Sequence, residues 1–387
     1  MSKNTPFRAM LVFVLVLLTS GAAACNKEAG SKNEIRVGLI APFSDDLASI
    51  YGIPVENAAN LAVQEINDAG GLDLKGQKYK VALVVGDNED KAEIAVGTAQ
   101  RFINQENVVV LVGLPLSRNA IPVAQIAEAA QIPMISVKSS NPDTTAGKQY
   151  VFRAVFIDPF QGHVMANFVI DKLGLQKAAV LYDVASAYNK SLAEAFKQAF
   201  EEAGGQVVAF ETYTTDSNQD FTRQLAHIRD NEPEVLFLPN YFNDVALQVQ
   251  QARELGINVI FMGGDSWKPE IFAGLPEFDG AFFTEIWAPE MDNGESQAFI
   301  KAYRQKYDQE PTITAAITYD AFGLLFEAIQ QQGQADPESI REGLANIKHY
   351  EGVTGSMEFH GTGDPLRSAV ILQLKDGETV LYERIDP

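Results

Sequence analysis

The stretch VVVLVGLPLSRNAIPVAQIAEAAQIPMISVKSSNPDTT, residues 108–145, decides the fold that the sequence predicts. Its first five residues are apolar and mostly β-branched, which is typical of a strand buried on both faces of a parallel sheet. Gly113 ends that strand, residues 121–130 have the amphipathic pattern of a helix, and residues 132–137 form a second apolar strand. The stretch therefore predicts one βαβ unit of a parallel α/β sheet.

Polar residues follow both strands of this unit. Ser117 lies in the loop after the first strand, and the run KSSNP at 138–142 follows the second. Ligands of open parallel sheets bind beyond the carboxyl ends of strands, and the free N–H groups at a helix start attract anions. We interpret these hydroxyls as a candidate anion site. The alternative is that Ser117 only caps its helix while Ser139 and Ser140 form an ordinary turn.

The composition indicates a globular protein of two domains. The chain has 387 residues, of which 46% are hydrophobic and 10% aromatic, and this length exceeds one ordinary core. Its net charge is −21 at pH 7, and a surface this acidic repels nucleic acid phosphates and anionic lipid headgroups. We therefore exclude both as partners.

The first 24 residues have the features of an export signal peptide. Lys3 and Arg8 precede an apolar run over residues 10–18 that is too short to span a bilayer. Cys25, the single cysteine of the chain, follows directly, as in bacterial lipoproteins whose cysteine thiol carries a lipid. We predict an exported lipoprotein anchored in the membrane, with residues 25–33 as a tether. An ordinary signal peptide cut before Cys25 is the alternative.

The βαβ pattern recurs in the second half of the chain. Residues 235–239 are an apolar strand ending in proline, residues 245–255 are an amphipathic helix, and residues 259–262 are another apolar strand. Residues 370–374 and 379–383 predict a final hairpin around an Asp-Gly turn. We predict two similar doubly wound lobes with facing crevices.

Motifs for catalysis or metal binding are absent from the sequence. No glycine-rich phosphate loop of standard type occurs, and no serine lies in a Gly-x-Ser-x-Gly elbow. The four histidines are too scattered for metal-ligand spacing, and a single cysteine excludes a disulfide within the chain. We therefore predict a binding protein without enzyme activity, metal or other cofactor.

A set of polar and aromatic side chains occupies the predicted loops after strands. Hydroxyls with helix-terminal N–H groups suit a carboxylate, Asp265 suits an ammonium group, and the aromatic rings suit an apolar side chain. Together they form the complement of a zwitterionic amino acid, although each has an ordinary structural explanation, such as Asp265 capping a helix. The residues are Tyr51, Ser117, Ser139, Ser140, Tyr188, Tyr241, Asp265 and Trp267.

Landmarks in a fixed order extend from Ile35 almost to the C-terminus. They are residues 37–52, EINDAGG at 65–71, the Ser117 loop, residues 132–142, Phe152-Arg153, residues 182–188 and FMGGD at 261–265. In these the chain resembles the leucine/isoleucine/valine-binding proteins, the type I periplasmic solute-binding family that serves ABC importers.

The resemblance implies an α/β fold of two doubly wound parallel-sheet lobes joined by three crossovers, near Ala154, Thr284 and Gly355. Lobe 1 would comprise residues 34–154 plus 284–354, and lobe 2 would comprise residues 155–283 plus 355–387. Hinge closure on a ligand would then create the form that the importer recognises.

The resemblance also implies roles for individual residues. Ser117 and Ser140 match hydroxyls that bind the ligand α-carboxylate, and Asp265 matches the acid that receives the ammonium group. The other residues implied to line the site are Tyr51, Ser139, Tyr188, Tyr241 and, through its backbone carbonyl, Lys138.

Our main hypothesis is a lipid-anchored periplasmic or cell-surface protein that captures an amino acid for an ABC permease and its ATPase. We expect a monomer and a branched-chain or other aliphatic ligand. The long cations Arg118 and Lys138 are expected to extend outward. If either enters the crevice, an acidic or polar amino acid or an amide is the alternative ligand. A module that signals to a partner on ligand binding is a further alternative.

Overall fold

The described part of the protein, in a computed structural model, comprises Met1 and residues 33–44, 46–214, 219–291 and 293–387. Nearly all of the predicted signal peptide, the lipidation site Cys25 and the tether up to residue 32 lie outside it. Within the described part, every helix is too short or too polar to cross a bilayer.

The first sheet has six strands and forms the centre of lobe 1. Its strands are β1 (Glu34–Ala41), β2 (Leu72–Leu74), β3 (Gln77–Asp87), β4 (Val110–Gly113), β5 (Met134–Ser136) and β6 (Val151–Arg153). Their order is β2-β3-β1-β4-β5-β6, and all neighbours are parallel except the β2–β3 hairpin. Every residue of β4 and β5 is buried, as expected for apolar strands covered by helices on both faces.

Three helices connect these strands: α1 (Ile53–Asp68), α2 (Ala92–Gln105) and α3 (Ser117–Ala130). The predicted βαβ unit is confirmed as β4, α3 and β5. Helix α3 begins at Ser117 rather than at Ile121, where the apolar periodicity of the sequence starts. The early start places Ser117 on the first turn of the helix, next to the carboxyl end of β4.

The second sheet has seven strands and forms the centre of lobe 2. Its strands are β7 (Lys177–Asp183), β8 (Gln206–Tyr213), β9 (Val235–Phe237), β10 (Ile260–Gly263), β11 (Phe282–Glu285), β15 (Ala369–Lys375) and β16 (Glu378–Ile385). The order is β16-β15-β11-β10-β9-β7-β8. Strands β7 to β11 are parallel, whereas β15 and β16 form the predicted terminal hairpin and join β11 in antiparallel fashion. The helices of this lobe are α4 (Asp158–Asn167), α5 (Ala187–Glu202), α6 (Thr222–Asp230), α7 (Phe242–Glu254) and α8 (Pro269–Phe272).

After β11 the chain returns to lobe 1 through α9 (Gly294–Tyr307), α10 (Ile313–Gln332) and α11 (Pro337–Ala345). Tyr307 of α9 donates a hydrogen bond of 2.7 Å to the backbone carbonyl of Asn57 in α1. A small sheet of β12 (Tyr350–Gly352), β13 (Gly355–Phe359) and β14 (Pro365–Leu366) follows. Because β12 and β13 pair with each other, this sheet extends across the predicted lobe boundary at Gly355. The exact lobe boundaries remain a prediction.

A buried arginine lies where the three connections between the sheets meet. The guanidinium of Arg367, which precedes β15, donates to the backbone carbonyls of Ala154, Ile286 and Thr354. These carbonyls belong to the first, second and third connections. Arg367 is 3% exposed, and a buried charge is costly unless it is compensated. These three carbonyls and the nearby buried carboxylate of Asp320 compensate it.

Candidate functional site

One cavity lies between the carboxyl ends of the two sheets and combines residues of both lobes. Its volume open to a water molecule is about 10 Å³, room for about one water, so a larger ligand enters only if the lobes or side chains move apart. A groove of about 620 Å³ on the outside of α4 and α5 contains none of the predicted site residues. The cavity is lined by Tyr51, Pro115, Leu116, Ser117, Lys138, Tyr188, Tyr241, Asp265 and Ser266.

A chain of three buried hydroxyls ends at the cavity. Ser139 Oγ donates to Ser117 Oγ over 2.9 Å, and it lies 2.7 Å from Thr144 Oγ1. Since Ser139 has one proton and gives it to Ser117, Thr144 supplies the proton of the second hydrogen bond. In this arrangement the Ser117 hydroxyl has no acceptor among the described residues, so it can donate to a ligand in the cavity.

The N-terminus of α3 adds backbone donors at the same place. Leu116 is the N-cap residue, and no described side chain caps this helix. Ser117 is therefore the first helical residue and not the cap. The uncapped N–H groups and the positive end of the helix dipole favour an anion beside Ser117.

Ser140 lies next to the hydroxyl chain but does not line the cavity. Its backbone carbonyl accepts a hydrogen bond of 2.9 Å from the N–H of Asp158. Burial raises the pKa of Asp158 to about 7, and the hydroxyls of Ser140 and Ser191 act in the opposite direction. A direct contact between Ser140 and a ligand therefore stays a prediction.

Asp265, at the opposite side of the cavity, is held by two neutral donors of lobe 2. Tyr188 Oη donates to Oδ1 over 2.9 Å, and Gln161 Nε2 donates to the same oxygen over 3.2 Å. Among the described residues, the one contact of Oδ2 is a long one of 3.5 Å with Lys138 Nζ. The second carboxylate oxygen thus retains capacity to accept a hydrogen bond from a ligand.

The side chain of Lys138 points into the crevice, so the expectation that it extends outward is wrong. Its Nζ reaches across the cleft and lies 2.9 Å from each carboxylate oxygen of Glu285, at the carboxyl end of β11 in the second sheet. The side chains of Lys138 and Glu285 are 3% and 0% exposed. Burial raises the pKa of Glu285 to about 7, while Lys138 acts to lower it. Asp265 and Glu285, two buried acids at strand ends of the second sheet, provide the counter-charge for the Lys138 ammonium group. An outward-pointing Lys138 would leave these acids without that partner.

Three tyrosines form the aromatic wall of the cavity. The rings of Tyr188 and Tyr241 are 5.3 Å apart, and burial raises the pKa values of the Tyr51 and Tyr241 hydroxyls. Arg118 of lobe 1 stacks over Tyr241 at 4.7 Å, and Lys268 of lobe 2 lies 4.4 Å from the Tyr51 ring. Two cation–π contacts therefore cross the cleft in opposite directions.

Arg118 lies at the edge of the cavity, in contact with solvent. Its guanidinium binds Asp90 with both Nε and Nη2, and its side chain is 40% exposed. It therefore covers the Tyr241 ring from the outside, in partial agreement with the expected outward position.

Trp267 does not line the cavity, and its predicted place in the site is corrected. The indole is fully buried, donates to the Leu238 carbonyl over 3.0 Å, and packs against Phe272, Phe278 and Phe283. So large an apolar surface is more stable in the lobe 2 core than at a polar crevice. The preceding residue, Ser266, lines the cavity instead.

Sequence reasoning missed four residues that surround the site: Gln161, Ser266, Lys268 and Glu285. Glu285 is the last residue of β11, so the rule that ligands bind at strand ends could have identified it. Gln161 lies on α4, and no local sequence signal distinguishes it. Among the described residues, no group of three or more histidine, cysteine or acidic side chains could hold a metal ion.

Residues 34–378 match the sequence profile of a family described as periplasmic binding protein. A relative from Pseudomonas aeruginosa, a leucine-, isoleucine-, valine-, threonine- and alanine-binding protein, is 26% identical over 354 residues. That alignment covers 90% of this chain and 89% of the relative.

Solved structures agree with this match. A leucine-binding protein from Thermotoga maritima superposes with a TM-score of 0.83 and 30% identity, covering 91% of this chain and 99% of that chain. A branched-chain amino acid transporter substrate-binding protein from Streptococcus pneumoniae, solved with isoleucine, gives a TM-score of 0.82 and 29% identity. That superposition covers 92% of this chain and 100% of the other.

Proposed function

The chain belongs to the periplasmic binding protein family, and on this basis we propose that it is the extracytoplasmic solute-binding component of an ABC importer. Its relatives bind leucine, isoleucine and other small amino acids. We therefore propose an amino acid as the ligand, with branched-chain and other aliphatic members as the first candidates.

One observation carries this proposal: an anion site and an acid face each other across a cavity shared by both lobes. The free hydroxyl of Ser117 and the N–H groups of α3 suit the ligand α-carboxylate. Asp265 Oδ2, which has one long protein contact, suits the α-ammonium group. A ligand bound in this way is in contact with both lobes at once.

Binding by both lobes implies capture by hinge motion. The cavity admits about one water molecule, and separation of the lobes would admit an amino acid, over which they would close again. Since each ligand charge needs a partner from a different lobe, the closed form is stabilised only by a ligand that carries both charges at the correct spacing.

The family and the N-terminal sequence support a proposal for the partners and the location. We propose that Cys25 carries a lipid and anchors the mature protein, a monomer, beside the ABC permease and ATPase subunits. The signal-like residues 1–24 and the adjacent cysteine support this proposal. We also propose that the protein catalyses no reaction, and its membership of a family of binding proteins supports this.

A thermal-shift comparison of amino acids with their methyl esters tests the proposal. The ester keeps the ammonium group and side chain but loses the negative carboxylate. We expect at least one free amino acid to raise the unfolding temperature, since a ligand at 100 times its Kd stabilises by about 2.7 kcal/mol. The matched ester should have no effect. Equal shifts with both compounds, or no shift with any amino acid, would contradict it.

A further inference from the structure

The cavity lining is more polar than an aliphatic ligand requires. Of the nine lining residues, only Pro115 and Leu116 lack a polar side-chain group. Pockets that hold apolar side chains are lined mainly by apolar and aromatic groups with few polar atoms. A leucine side chain enclosed here would leave the buried hydroxyls of Tyr51 and Tyr241 without hydrogen-bond partners, and that loss weakens binding.

Most of the groups available to a ligand can donate a hydrogen bond. Among the described residues, the hydroxyls of Tyr51 and Tyr241 form no hydrogen bond, and the Ser117 hydroxyl has no acceptor. Lys138 uses two N–H groups for the oxygens of Glu285, so the third has a long contact of 3.5 Å with Asp265. The ammonium group can only donate and Asp265 Oδ2 can only accept, whereas the hydroxyls can do either. This set can bind two carboxylates and one ammonium group.

The position of Lys138 adds a charge argument. Its ammonium group lies beside the same Asp265 carboxylate that the ligand ammonium would use. Glu285 also pairs with Lys138, so two cations would face two acids when both acids are ionised. Burial raises the pKa of Glu285 to about 7, and where Glu285 is protonated the two cations share the Asp265 carboxylate and repel each other. A second negative charge on the ligand, placed at Lys138 Nζ, offsets that repulsion, whereas a neutral side chain does not.

Further positive charge lies close to the cavity on an otherwise acidic protein. Lys268 is 3% exposed and contacts the Tyr51 ring, yet within the described residues it has no carboxylate oxygen inside 4.0 Å. Arg118 covers the Tyr241 ring at the cavity edge. Because Asp90 already pairs with Arg118, Lys268 is the cation of these two whose charge is left to favour an anion.

We infer that, in place of the aliphatic candidates named above, the site prefers an acidic amino acid, whose side-chain carboxylate binds Lys138 Nζ and the Tyr51 and Tyr241 hydroxyls. This inference rests on the proposed function, because the α-carboxylate and α-ammonium group keep their places at Ser117 and Asp265. Glu285 acts as a positioning residue that holds Lys138 at the cavity without touching the ligand. Lys138 is then the residue that distinguishes this site from one for aliphatic amino acids.

Calorimetric titration with L-glutamate, L-glutamine, L-leucine and glutarate tests the inference. We expect glutamate to bind at least about 100-fold more tightly than leucine, because buried donors reject an analogue that lacks their partner. Glutamine, which keeps a side-chain oxygen without its charge, should fall between them. Glutarate, which lacks the ammonium group, should bind more weakly than glutamate.

The matched variant removes the Lys138 charge together with its counter-ion. Lys138→Met combined with Glu285→Gln avoids a buried unpaired acid and should reduce the preference for glutamate over leucine at least tenfold. Lys301→Met, at an exposed position on α9, is the control and should change nothing. The wild-type comparison stands alone if the double variant fails to fold.

The outcomes separate this inference from the proposed function. Leucine binding as tightly as glutamate in the wild-type protein, or an unchanged preference in the folded double variant, would overturn the inference and leave amino acid capture intact. Glutarate binding as tightly as glutamate would overturn the role of Asp265 and with it the proposed amino acid function.

Discussion

Asp265 is the single residue with the most direct proposed role in binding. Asp265→Asn keeps an oxygen that can accept from Tyr188 and Gln161 but removes the charge that the ligand ammonium needs. We expect ligand affinity to fall about 100-fold, because truncating one partner of a buried charge pair costs roughly 2–5 kcal/mol. Calorimetry measures the affinity and circular dichroism verifies the fold. The exposed Asp171→Asn variant is the control, and unchanged affinity in Asp265→Asn would remove this residue from the site.

Glu285 should make stability depend on pH. Its folded pKa of about 7 exceeds its ordinary value of 4.5, so the folded protein holds this proton more tightly than the unfolded chain does. The proton on Glu285 contributes its full stabilisation below the ordinary pKa of 4.5, and this stabilisation is lost as pH rises through about 7. Between about pH 5 and about pH 8, the unfolding free energy of Glu285→Gln should therefore decline less than that of the wild type.

Urea denaturation at several pH values measures this difference. Glu290→Gln, an exposed acid in the loop before α9, should keep the wild-type slope. If the unfolding free energies of wild type and Glu285→Gln change equally with pH, the pKa of Glu285 is not raised in the folded protein.

The sequence predicted which side chains follow strands but not what they touch. Ser117 and Asp265 reach the cavity because parallel strands end at a common edge. The contact between Lys138 and Glu285 joins residues 147 positions apart, and no local pattern contains that pairing. Trp267 was misplaced for a different reason: neighbouring loop residues point in different directions, so Ser266 faces the cavity while Trp267 enters the core.

At the level of elements, Arg367 joins the three segments that connect the lobes. Arg367→Met should lower the unfolding free energy by about 3 kcal/mol or more, because the carbonyls of Ala154, Ile286 and Thr354 lose a buried charged partner. Urea denaturation tests this, with the exposed Arg229→Met as control. If Arg367→Met lowers the unfolding free energy no more than Arg229→Met does, the hydrogen bonds of Arg367 do not stabilise the three connections.

The boundaries of elements were less predictable than their existence. The apolar periodicity predicts a helix over residues 121–130, whereas α3 begins at Ser117. Helix α4 begins at Asp158, and Pro159 explains this start, since proline is favoured at the first helical positions, where its missing N–H costs nothing. The terminal hairpin was predicted correctly because its Asp-Gly turn is a strong local signal.

For the whole molecule, the repeated βαβ pattern predicted two lobes but not how the chain divides between them. Helices α9 to α11 follow the second sheet in sequence, yet α9 bonds to α1 of lobe 1. Contacts between distant segments determine that α9 to α11 return to lobe 1. The family resemblance therefore predicted this return, whereas the periodicity of the sequence did not. The same holds for the cavity, which exists because two strand-end edges, far apart in sequence, face each other.

The distance across the cleft tests capture between two lobes most directly. Spin labels at Glu93→Cys on α2 and Asn243→Cys on α7, with Cys25 replaced by serine, flank the contact of Arg118 with Tyr241. Double electron–electron resonance should show a broad distance distribution that shortens and narrows when a binding amino acid is added, and no change with its methyl ester. An unchanged distribution at a ligand concentration shown by calorimetry to saturate the protein would contradict capture by lobe closure.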